Sequence, residues 1–84
     1  MAVAYATQAF SSIEYVHDIS AWGIFILTDK IIPVGDDITI TIPPVEGKHA
    51  IKIVGEVVRA TPKGIGVKFK MGIDDSVISD AIAV

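Results

Sequence analysis

The densest run of chemically capable side chains lies between His17 and Gly23, where His17, Asp18 and Ser20 precede Trp22 and a glycine. Histidine, aspartate and serine are the ingredients of a nucleophilic triad, but a triad needs them to converge on one point. Neighbouring residues of an extended chain point to opposite faces, so this spacing argues against catalysis. Asp18 and Ser20 can instead hydrogen-bond the local backbone in an Asx or ST turn, and Gly23 can take a positive φ. His17 and His49 lie far apart without metal-ligand spacing, so no metal site is expected. Glu14 and Glu46 read as isolated, solvated surface acids. Arg59, the only arginine, could reach a phosphate, but the expected behaviour of a strand-end arginine is to snorkel into solvent. The glycines form no phosphate-cradling loop. The expectation is a protein that is not an enzyme, with no catalytic residue and no cofactor.

The elements that must position these residues are short strands. Val3 to Phe10 is an Ala-rich strand candidate, and Ser11-Ser12 turns it into a second, Ile13 to His17. Asp18 to Trp22 breaks the pattern. Gly23 to Thr28 is apolar on both faces, which suits a strand covered on both sides. Pro33 and Gly35 mark a connection, and Ile38, Ile40 and Ile42 alternating with Thr39 and Thr41 predict a half-buried strand ended by Pro43-Pro44. His49 to Ala60 reads as a long strand, with Gly55 marking a bulge or tight bend. Thr61-Pro62-Lys63-Gly64 predicts a type I turn into a strand carrying Ile65, Val67 and Phe69. After Gly72 the period becomes helical: Ile73, Val77, Ile78, Ala81 and Ile82 share one face, and Asp74 is a suitable N-cap. Val54 and Val58 share parity with Lys52 and Glu56 and are expected to face outward, beneath that helix, which needs a surface, or else at a subunit contact. The expected fold class is all-β with a terminal helix. It is a small antiparallel β-barrel of about six strands over residues 3–70, then a short α-helix over about 74–83, in one domain spanning 1–84.

Composition narrows the function classes. The chain has 84 residues, is 51% hydrophobic and carries a net charge of −3. Such an apolar chain needs an outlet for its surface: a tight core, a homo-oligomer contact or a partner-binding face. The acidic balance and lone arginine argue against general nucleic-acid binding, including single-strand binding by an OB-type barrel. Without cysteine there is no disulfide or thiolate chemistry. The apolar run Gly23 to Leu27 is too short to insert in a membrane, and Met1 to Ala6 lacks signal-peptide character, so a cytoplasmic location is expected.

Four motifs occur in one order: Asp18-Ile19-Ser20-Ala21-Trp22-Gly23, Pro33-Val34-Gly35-Asp36, Gly55-Glu56-Val57-Val58-Arg59 and Gly64-Ile65-Gly66-Val67-Lys68-Phe69. Together they resemble the PilZ domain family from about Val3 to Phe69, the first matching its Asp/Asn-x-Ser-x-x-Gly signature. The resemblance implies a bacterial second-messenger signalling module. Many such modules bind cyclic diguanylate (cyclic di-GMP), and it would give Asp18, Ser20 and Gly23 the ligand-binding roles, with Asp18 and Ser20 on a guanine edge. The family's second half-site, an Arg-x-x-x-Arg segment ahead of the first strand, is missing, and residues 1 to 17 hold neither Arg nor Lys. Each lost charge-assisted hydrogen bond costs roughly 1.5–3 kcal/mol, so affinity should fall by orders of magnitude. Family members without that segment are thought to act as adaptors through protein contacts. The leading expectation is therefore a signalling adaptor with weak or lost ligand binding. The alternative is a cyclic di-GMP receptor whose site is completed by residues outside this chain. Trp22, the only tryptophan, could anchor a protein partner, although a half-buried ring covering a barrel mouth is the modestly favoured expectation.

Overall fold

The computed structural model describes residues 1–44 and 49–70. Within them run six strands: β1 (Ala2–Ala6), β2 (Ser11–Ile19), β3 (Gly23–Leu27), β4 (Asp37–Ile42), β5 (Ile51–Thr61) and β6 (Gly64–Phe69). All neighbours pair antiparallel, and the sheet closes in the order β1-β2-β3-β6-β5-β4, with β4 returning to β1. Closure pairs each of these six strands on both sides, so among the described residues no strand edge is left for another chain to extend. The expected barrel is therefore present. The expected terminal helix over about 74–83, the Asp74 cap and Glu46 lie outside the described residues.

The two-residue period builds the core. Val3 and Tyr5 on β1, Ile24 and Ile26 on β3, and Ile38, Ile40 and Ile42 on β4 all point inward and are buried. Ile53 and Val57 on β5, Ile65, Val67 and Phe69 on β6, and Ile32 in the connection after β3 complete the cluster. β-branched side chains dominate because they pack well on a pleated surface. Val54 and Val58 face outward, as their parity predicts, and are half exposed.

Local chemistry moves some boundaries. β1 stops at Ala6 rather than Phe10, because the Thr7 hydroxyl accepts the backbone N–H groups of Ala9 and Phe10 and turns the chain there. Asp18 and Ile19 extend β2 instead of breaking it. The turn 61–64 forms as expected: the Thr61 hydroxyl accepts the N–H groups of Lys63 and Gly64. Only β3's inner face is covered by the core; on its outer face Phe25 is half-buried and Leu27 exposed. Gly55 is not at a bulge. It pairs in regular register with Ile38 and Phe69, and a Cβ there would collide with the Val67 side chain and the Lys68 carbonyl.

Glu14 is likewise not a solvated acid. Its carboxylate accepts hydrogen bonds from the hydroxyls of Ser12 (3.2 Å) and Thr28 (3.1 Å). Thr28 has one hydroxyl proton and gives it to Glu14, so the buried Tyr5 hydroxyl, 3.0 Å away, donates to Thr28. The Lys30 N–H donates to the same Thr28 oxygen. Among the described residues no buried side-chain polar atom of this network lacks a hydrogen-bond partner, which is the condition for burying it.

Candidate functional site

The signature segment divides between structure and chemistry. Ser20 is taken up by the turn: its hydroxyl accepts the Trp22 N–H (3.4 Å) and lies 3.5 Å from the Gly23 carbonyl, which also accepts the Ser20 N–H (2.9 Å). Gly23 is required by a close approach, since a Cβ there would stand 2.7 Å from the Val67 carbonyl oxygen of β6. Asp18 is different. Its carboxylate has no hydrogen-bond or ion-pair partner among the described residues, and it is exposed at the lip of a cleft.

Two bulges build that cleft. On β2, Val16 pairs with Ile26 and Asp18 with Phe25, so His17 is an extra residue with no partner. On β5, Val57 pairs with Val67 and Arg59 with Gly66, so Val58 is extra. Val16 and Val57 lie on the inner side, and a regular two-residue step would send Asp18 and Arg59 inward as well. The extra residue turns each of them outward instead. Because Phe25 pairs with Gly66 on β6, one row crosses four strands on the outer face: Asp18, Phe25, Gly66, Arg59.

Arg59 does not simply reach into solvent, as expected of it. Its guanidinium carbon lies 5.1 Å from the centre of the Phe25 ring, two strands away. Gly66 stands between them and has no side chain to obstruct the path. A Cβ on Gly66 would meet Arg59 Cβ at 3.4 Å, Arg59 Nε at 3.6 Å and the Phe25 ring at 3.8 Å. His17 packs its ring edge-on to Phe25 with centroids 6.0 Å apart. Among the described residues, Arg59 and His17 pack on Phe25.

The resulting cleft, about 450 Å³, is lined by Asp18, Ser20, Gly23, Phe25, Arg59 and Gly66 among others. It continues past Leu27 to His17, Thr61 and Lys63. That size falls in the general range of small-molecule sites. The bulge also places His17 and Asp18 on the same cleft, correcting the expectation that they point apart. No triad follows, because the Ser20 hydroxyl is held by the turn, with no hydrogen bond to His17 among the described residues.

Asp18, Ser20 and Gly23 line this one cleft. Sequence reasoning did not place Phe25, Gly66 or Arg59 beside them. The one available signal was Gly66 itself, a glycine at an outward strand position, where glycine usually marks a close approach. Trp22 is 66% exposed, which overturns the expected half-buried ring; its backbone carbonyl, accepting the Phe69 N–H at 2.8 Å, ties the turn to β6.

No curated protein and no solved structure matches the chain. A family model, that of the PilZ domain, matches residues 3–83. That match spans the closed barrel, the signature turn and the cleft beside it, and the chain belongs to the PilZ domain family.

Proposed function

We propose that this protein is a non-enzymatic regulatory module of bacterial second-messenger signalling. It works as a cytoplasmic adaptor through protein contacts and holds cyclic di-GMP weakly at the cleft between Asp18 and Arg59. PilZ domains are cyclic di-GMP-binding regulatory domains. One observation carries the adaptor reading: a single guanidinium, Arg59, lines the cleft, and residues 1 to 17 hold no Arg or Lys. A doubly anionic ligand needs several charge-assisted contacts for tight binding. Exposed Trp22 at the cleft's turn and outward-facing Val54 and Val58 supply apolar surface for a protein partner. No helix among the described residues is long and apolar enough to cross a membrane.

The second reading is a receptor completed by cations from outside this chain. It is favoured by the Asp18 carboxylate, which has no partner among the described residues and faces the cleft that Arg59 lines. Calorimetric titration of the chain with cyclic di-GMP separates the two. The adaptor reading expects weak heats and a dissociation constant well above micromolar. Micromolar or tighter binding that is abolished by Asp18→Ala establishes the receptor reading instead.

A further inference from the structure

The row Asp18–Phe25–Gly66–Arg59 has a feature that hydrogen-bonding capacity alone does not require. Arg59 bends back across β6 to lie over an aromatic ring, and the strand it crosses carries glycine at the crossing point. A guanidinium is planar, and one that stacks on a ring leaves its second face as a flat cationic surface. Arg59 is exposed, so that face is open to solvent. Phe25 neighbours Asp18 directly on the next strand, so a planar group on this platform has its edge beside the Asp18 carboxylate.

We propose that Arg59, backed by Phe25, is a stacking platform for a purine base, and that Gly66 is the positioning residue that lets the platform form. The inference rests on the guanine reading of the Asp18 cleft and adds a stacking subsite to it. A guanine edge offers two N–H donors to a carboxylate and an adenine edge offers one, so the platform together with Asp18 selects guanine. Stacking of a base on a cationic plane also explains how a cleft with one arginine retains any affinity for a nucleotide. Lysine keeps the charge but has no face to stack on.

The test is an amide chemical-shift titration of the chain with four probes: cyclic di-GMP, guanosine 5′-monophosphate, adenosine 5′-monophosphate and ribose 5-phosphate. Wild type, Arg59→Lys and Gly66→Val are compared, with the melting temperature of each recorded. The expected result is that Arg59→Lys weakens both guanine probes by about tenfold or more while leaving ribose 5-phosphate unchanged. Gly66→Val should do the same by displacing Arg59, and adenosine 5′-monophosphate should bind wild type more weakly than its guanine counterpart. If Arg59→Lys binds the guanine probes as tightly as wild type does, the platform is overturned and the Asp18 reading stands. If wild type shows no shift with either guanine probe at millimolar concentration, the guanine reading of the cleft fails, and the platform with it. Should Gly66→Val not fold, Arg59→Lys alone decides, since it alters only an exposed side chain.

Discussion

At the scale of single residues, side chains close together in sequence have taken different tasks. Ser20 and Gly23 hold the turn between β2 and β3, and Asp18 is left for chemistry. This predicts separable mutational effects. Gly23→Ala forces a methyl group against the Val67 carbonyl at 2.7 Å, where backbone rather than a flexible side chain must yield. A loss of roughly 1–3 kcal/mol is expected, read as a lower midpoint in urea unfolding. Asp18→Ala removes an exposed carboxylate with no partner among the described residues, so its midpoint should stay within about 0.5 kcal/mol of wild type. A large destabilisation by Asp18→Ala would mean that the side chain is structural after all. The signature spacing is legible in the sequence; its division of labour is not, because both roles use the same residue types.

At the scale of elements, the bulges on β2 and β5 decide the site. Each inserts one residue directly before a cleft side chain and reverses its direction. A bulge is an event of strand pairing, since two residues on one strand face one on its partner, and neither strand alone records it. That is why Arg59 reads as a solvated strand end until β6 is placed beside it. The Tyr5–Thr28–Glu14 network has the same character, as it joins β1, β2 and the end of β3. Thr28→Val removes the shared hydroxyl and leaves the buried Tyr5 hydroxyl without its acceptor. The expected cost is about 1–3 kcal/mol, and Tyr5→Phe on that background should recover part of it in a double-mutant cycle. Independent, additive effects of the two substitutions would show that the hydrogen bond contributes nothing.

At the scale of the whole molecule, the closed barrel separates an apolar interior from an outer surface free to carry function. Ile40 is fully buried at the centre of β4 and Ile31 is 92% exposed in the connection after β3. The same truncation should therefore differ sharply: Ile40→Ala costs about 2–5 kcal/mol through the cavity it leaves, and Ile31→Ala close to nothing. Equal losses in thermal unfolding would contradict the burial. Residues contributed by β2, β3, β5 and β6 meet on one outer face because β3 pairs with β6 rather than with its sequence neighbour β4. The cleft is a product of that crossover.

The sequence by itself determined the strand count, the inward set of alternating Ile and Val, the outward parity of Val54 and Val58, the 61–64 turn and the family. The first four depend on local period or local turn chemistry, which needs no partner strand; the family rests on the four motifs and their order. Only the tertiary structure decided that Asp18 and Arg59 face the same way, that Arg59 lies over Phe25 across Gly66, and that Glu14 is bound rather than solvated. Those facts arise from register between strands distant in sequence, where one extra residue reverses a side chain's face and a missing side chain opens its path.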